Sequence, residues 1–146
     1  MTDHQDTLPV RIRKAGLRVT QPRLAVLRAL HDSPGHFSVD QIVELVAASG
    51  HRYPRMTVYN VVDQLCHAGV LMRADAGPGR ALYEIDNGWH HHFICRACGT
   101  VQDVPCVMGY KPCLHPDVET LGTIDEAQII FRGICNHCCR QEQGSA

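Results

Sequence analysis

Two Cys-x-x-Cys pairs constrain this chain more than any other feature. They are Cys95-Arg-Ala-Cys98 and Cys135-Asn-His-Cys138. Each pair, held in a turn, presents two thiolates to one side. Two such turns supply the four soft ligands that a tetrahedral structural zinc requires. Any fold that uses both must bring these distant turns together. A disulfide or a thioredoxin-type dithiol needs only one pair, at a helix start in a βαβ setting. Here each pair adjoins a strand-like run instead, and zinc is the favoured reading for Cys95, Cys98, Cys135 and Cys138. In so short a segment the metal should contribute folding free energy directly.

Immediately before the first pair stands Trp89-His90-His91-His92-Phe93-Ile94. On a strand, His90 and His92 point to one side and His91 to the other. His90 and His92 therefore form a pair able to hold a second metal. Glu84, at the end of a strand-like run, and Asp103, on the next strand, offer oxygen donors. His36, in the loop before a helix, is a candidate fifth ligand. A histidine run can be solvated surface, and His36 alone would read as a loop histidine. The neighbouring cysteine pair and the available carboxylates favour ligation. A mixed set of five histidine and carboxylate donors suits Fe(II) or Mn(II) better than structural zinc, which prefers four ligands.

The chain has 146 residues and eight cysteines. That length can bury one good core, or two small ones if metal or dimerisation helps. Eight cysteines would suit a secreted disulfide framework. The Cys-x-x-Cys spacing, the ten histidines and a polar start without a signal-peptide core point to metal chemistry in the cytoplasm instead. No apolar run approaches a membrane span. The net charge is −1, yet residues 1–30 carry six basic and two acidic side chains. A basic front end is weak evidence for a polyanionic partner and gains weight only from the fold.

Residues 7–16 read as a short basic helix with Leu8, Ile12 and Ala15 on one side, ended by Gly16. Thr20 is a candidate N-cap for a second helix, with Pro22 in its first turn. Ser38 with Gln41 three residues on forms a capping box for a third. A fourth helix spans about Arg55 to Ala68 and is ended by Gly69. Val58, Val62 and Leu65 mark its core face, and Arg55 and Tyr59 share another. Strand-like runs at Val70–Arg73 and Arg80–Ile85 flank a turn-rich loop, 74–79. Helices followed by a small hairpin predict a winged helix-turn-helix over residues 1–86, with Arg55–Ala68 as recognition helix.

After a linker at 86–88, the second domain, residues 87–146, should hold strands at His90–Ile94, Thr100–Val104 and Ile124–Arg132, then a polar tail. The expected class is α+β. Tyr59 and Arg55 are the candidates for base edges or methyls, and Arg18 and Arg23 for phosphate or minor-groove contact. Cys66 reads as a packed small hydrophobe. Cys106 and Cys113 flank a Gly- and Pro-containing segment and are a candidate reversible redox pair. A bridge there requires Cα atoms within ~7 Å.

These motifs taken together resemble the ferric uptake regulator (Fur) family: G-L-R-V-T-Q-P-R at Gly16–Arg23, T-V-Y-N at Thr57–Asn60, H-H-H-F-I-C-R-A-C at His90–Cys98 and C-N-H-C at Cys135–Cys138. The resemblance spans residues 8–138. Cys106 with Cys113 resembles the actinobacterial FurA/CatR-type branch of iron- and peroxide-responsive repressors. The resemblance implies a homodimeric, metal-activated repressor with an N-terminal winged helix and a C-terminal dimerisation domain. It implies a four-cysteine structural zinc and an Fe(II)- or Mn(II)-type regulatory site at His36, Glu84, His90, His92 and Asp103. It also places Thr57 among the DNA-binding residues. Peroxide-sensing members tend to carry Asp where this chain has Glu84. A histidine used by many members for a further metal site is matched here by Ala127, so no third site is expected.

The expected function is repression from a palindromic operator on double-stranded DNA, released by oxidation or metal loss, at catalase or iron-homeostasis genes. The palindrome follows from the two-fold symmetry of such dimers. Alternatives are a thiol switch sensing through cysteines, or a zinc- or nickel-uptake regulator of the same family. A zinc hydrolase or deaminase is disfavoured, because neither H-E-x-x-H nor H-x-E with P-C-x-x-C is present.

Overall fold

The computed structural model describes residues 6–107, 122–123 and 127–144. The chain divides into two compact units, Met1–Gly88 and Trp89–Ala146. The elements run α1 (Leu8–Lys14), α2 (Gln21–Asp32), α3 (Val39–Ala48), α4 (Arg55–His67), β1 (Leu71–Asp75), β2 (Ala81–Ile85), β3 (His90–Cys95), β4 (Val101–Pro105), β5 (Ile130–Gly133) and α5 (Asn136–Gln143). The class is α+β. No helix among the described residues is long and apolar enough to cross a membrane.

The first unit is a winged helix-turn-helix, and its helix boundaries follow local chemistry. Thr20 Oγ1 accepts from Arg23 N–H to open α2. At α3 the box is reciprocal: Gln41 N–H donates to Ser38 Oγ (3.2 Å), and Ser38 N–H donates to Gln41 Oε1 (2.9 Å). Helix α4 stops at Gly69, whose φ of 73° suits a residue without Cβ. There Gly69 N–H donates to Cys66 O and Val70 N–H to Leu65 O, which satisfies two carbonyls left open at the helix end. Ile12, Val26, Leu27, Ile42, Val46, Val58, Val62 and Leu65 are fully buried and join α1 to the three-helix core. Cys66 packs at the edge of this core.

The wing is the antiparallel pair β1–β2, with Leu71 opposite Ile85 and Asp75 opposite Ala81. The first strand runs two residues further than the sequence indicates, because Ala74 and Asp75 remain paired, while Val70 and Arg80 fall outside the strands and the turn is 76–80. Phe37 adds an isolated bridge to Tyr83 on β2: Phe37 N–H donates to Tyr83 O (3.0 Å) and Tyr83 N–H to Phe37 O (2.8 Å).

The second unit is a three-stranded sheet in the order β4-β3-β5, with β3–β4 antiparallel and β3–β5 parallel. Two expectations are corrected here. Regular strand begins only at Ile130, with 127–129 outside it and 124–126 outside the described residues. The polar tail is helix α5, which begins directly after Cys135. Cys113 lies outside the described residues.

Candidate metal centres and nucleic-acid face

The four cysteines come from two short turns. Cys95 ends β3, and the chain reverses through Gly99 (φ 72°), with Gly99 N–H donating to Cys95 O and Cys95 N–H to Thr100 O. Cys135 is the N-cap residue of α5 and Cys138 lies in its first turn. Arg96 N–H donates to Gly133 O, which ties the first turn to the end of β5. As a result the sulfurs of Cys95, Cys98, Cys135 and Cys138 all lie within 4.8 Å of one another.

A tetrahedral ion with Zn–S bonds of about 2.3 Å sets its sulfurs about 3.8 Å apart. Cys98 Sγ lies 3.9 Å from Cys135 Sγ. Backbone N–H groups of Cys98 and Cys135 lower the Cys95 thiol to about 6, and Cys135 N–H lies 3.3 Å from Cys95 Sγ. Thr100, 3.1 Å from Cys98 Sγ, lowers that thiol as well. Cys138 moves the other way. Its hydrogen bond with Cys135, then burial and the remaining sulfurs, push it up to about 12. Some of these sulfurs are prepared as thiolates while another resists ionising among them. A dication at the centre resolves that conflict, so the donor set fits zinc. Cys139 stays apart, with its Sγ 3.7 Å from Ile134 O.

Each unit also carries a histidine–carboxylate group. In the first unit, the Phe37–Tyr83 bridge sets His36 beside Glu84. His36 Nε2 lies 3.0 Å from Glu84 Oε2, and the two side chains are only 8% and 7% exposed. In the second, His92 stands directly opposite Asp103 across β3–β4. Asp103 Oδ1 is 3.3 Å from His90 Nε2 and 3.7 Å from His92 Nε2. The pleat puts His90, His92 and Asp103 on one face. His91 is on the other. It is buried, edge-on to Trp89 (centroids 5.4 Å apart) and to Phe131 (6.0 Å). Imidazole and carboxylate donors of this kind suit Fe(II), Mn(II) and related ions.

The expected DNA-binding residues all belong to the first unit. Tyr59 is 44% exposed on α4, Thr57 is half-buried and Arg18 is exposed before α2. Arg55 is paired with Asp40 of α3 at 2.5 Å. Arg23 is engaged twice: its Nε and Nη2 donate to Gln64 Oε1 (3.2 and 2.7 Å), and its Nη1 donates to Arg18 O (2.7 Å). Sequence reading missed Asp40 and Gln64 as partners, since neither is close in the chain. The helix start at Cys135 was also missed. Its signal was present in a cysteine followed by eight polar or small residues without Gly or Pro.

A winged helix joined to a unit built on a four-cysteine cluster, each with histidine–carboxylate donors, defines a metal-responsive DNA-binding regulator. The comparisons with known proteins agree. Residues 14–106 match the model of the ferric uptake regulator family. The chain is 39% identical over 121 residues to ferric uptake regulation protein 1 of Mycolicibacterium fortuitum, covering 82% of this chain and 74% of that one. It is 38% identical over 130 residues to the transcriptional regulator FurA of Mycobacterium tuberculosis, covering 87% and 86%. Among solved structures, the ferric uptake regulator of Pseudomonas aeruginosa with manganese superposes with a TM-score of 0.73 at 26% identity, over 90% of this chain and 99% of that one. The chain belongs to the ferric uptake regulator family. It is a metal-responsive transcriptional regulator, not an enzyme.

Proposed function

We propose that this regulator is a cytoplasmic homodimeric repressor whose operator binding is switched by Fe(II) or Mn(II). The domain roles follow: residues 1–86 bind DNA, and residues 87–146 dimerise and sense metal. Zinc at Cys95, Cys98, Cys135 and Cys138 is structural. The regulatory ion takes His36 and Glu84 from the first unit and His90, His92 and Asp103 from the second. The observation that carries this reading is that each unit holds only part of a donor set, while hard cations of this class usually take more than three ligands. An ion that needs both parts restrains one unit against the other, which is how occupancy reaches α4.

A bound metal ion would supply positive charge that compensates the carboxylates of Glu84 and Asp103. The chain's own residues set the geometry: the Phe37–Tyr83 bridge aligns His36 with Glu84, and the β3–β4 register aligns His92 with Asp103. Two-fold symmetry calls for a palindromic operator. Loss or oxidation of the ion releases it, at catalase or iron-homeostasis genes.

The test is binding to an operator selected from random duplex DNA, by full-length protein with Fe(II), Mn(II), Ni(II) or Zn(II), before and after peroxide, with metal content measured. The effector metal should tighten binding roughly 5- to 150-fold, the usual range for coupled sites. Glu84→Gln and His92→Ala should remove that gain and keep the zinc. Operator affinity that is unchanged on stripping every metal but the zinc would rule the switch out.

A further inference from the structure

Asp86-Asn87-Gly88 forms the end of the first unit, directly before the second begins at Trp89. Asp86 N–H donates to Val70 O (3.0 Å), which carries the wing pairing one step past β2. Gly88 N–H donates to Asp86 Oδ1 (2.9 Å), and its φ of 103° suits a residue without Cβ. The Asp86 carbonyl is gripped from 75 positions away: Arg11 Nη2 donates to it at 2.8 Å, in a partly buried setting. A guanidinium is a charged, planar donor, so this bond is stronger and better directed than one from a neutral amide. Helix α1, which carries Arg11, is itself fixed. Ile12 is fully buried in the core, with Leu8 and Ala15 packed against it. Gly16 N–H and Leu17 N–H close the helix end on Arg13 O and Ile12 O.

We propose that Arg11 is a positioning residue for metal-dependent operator binding, acting as a latch on the first-unit end of the linker. The inference rests on the regulatory-metal reading given above. An ion with ligands in both units is one point of attachment, about which the units can still rotate. A linker whose first-unit end is fixed is a second, and two points leave far less freedom than one. Hinges absorb rotation through φ and ψ changes at a few residues between elements. With the Asp86 carbonyl held by Arg11, the peptide between Asp86 and Asn87 cannot turn, and the hinge is confined to Asn87 and Gly88. A metal shifts operator affinity only as far as it favours one arrangement of the units over the others. The latch narrows those arrangements, so the restraint set by the ion passes through Asp86 and Arg11 to α1 and the helical core that carries α4. Without the bond, the linker takes up the restraint by turning at Asp86.

The experiment compares wild type, Arg11→Met and Arg13→Met as zinc-loaded full chains on an operator selected from random duplex DNA. Arg11→Met keeps most of the aliphatic stem and removes the donor. Arg13→Met removes the same charge from an exposed position of the same helix, so any general electrostatic loss on DNA is common to both. Operator affinity is measured without and with Mn(II) or Fe(II), and hydrogen exchange is read residue by residue. Wild type should gain roughly 5- to 150-fold from the metal. Arg11→Met should lose most of that gain and exchange faster at Asn87 and Gly88, with protection of α2–α4 unchanged. Arg13→Met should keep the gain. A gain in Arg11→Met equal to that of wild type overturns the latch and keeps the metal switch. So does an equal loss in Arg13→Met, which would make charge the cause. Lost protection across α2–α4 in Arg11→Met also overturns the latch, because Arg11 would then serve stability alone. No gain from either metal in wild type overturns both the latch and the switch.

Discussion

The two units solve the same problem, staying folded, by different physics. In the first, seventeen buried apolar residues form one cluster across α1–α4 and the wing. Side chains such as Leu27, Ile42 and Leu65 are wholly removed from water, and each contributes about 1.5–3 kcal/mol of transfer free energy. In the second, one cluster of described residues is Cys95, Cys135 and Cys138 with Phe93 against it. Phe131 and Ile134 stay 50% and 39% exposed. A short unit gains little from apolar burial, and a cation joining the four thiolates would add the folding free energy that a larger core supplies elsewhere. The first unit thus stands on a hydrophobic core, while the second gathers four cysteine sulfurs.

That contrast can be broken most severely at the cysteines. Cys138→Ser, or removal of zinc with a strong chelator, should unfold the second unit outright. Zinc in comparable small domains is worth about 10–16 kcal/mol. Hydrogen exchange read residue by residue should lose protection across β3–β5 and keep it across α2–α4; protection retained in β3–β5 would mean that the sulfurs are not what holds this unit. Next in size, Ile42→Ala should lower the stability of the first unit by about 2–5 kcal/mol through lost burial and a cavity. Thermal or urea unfolding should show the loss with zinc content unaltered. The smallest effect belongs to Ser38→Ala, which removes one half of the capping box and should cost about 0.5–2 kcal/mol. Because α3 begins two residues after Phe37, whose bridge aligns His36, this variant also asks whether a fraying helix start weakens effector-metal binding. If metal affinity is unchanged, the Phe37–Tyr83 bridge suffices to hold His36.

Much of this was legible in the residues themselves. Thr20 and Ser38 carry their capping chemistry in local spacing, and Gly16 and Gly69 mark helix ends because a positive φ suits them alone. Alternation on β3 separates His90 and His92 from His91 whatever the partners are. The end of the chain was harder: polar composition alone resembles a tail, and α5 becomes visible only because Cys135 must begin a turn that returns Cys138 to the same cluster. Arg23 and Arg55 look like free cations in the sequence, yet both are held by partners tens of positions away or on a neighbouring helix.

The sequence by itself determined which atoms are available. Two Cys-x-x-Cys turns, a histidine triplet on a strand and a basic helical front end restrict the chain to a metal-dependent, DNA-binding class, because ligand type and spacing are local properties. Tertiary structure decided which of those atoms meet. His36 joins Glu84 through a backbone bridge to Tyr83, Asp103 joins His92 through the register of β3 and β4, and Gln64 engages Arg23 across two helices. Such pairings depend on packing between segments distant in sequence, and no local pattern encodes a contact of that kind.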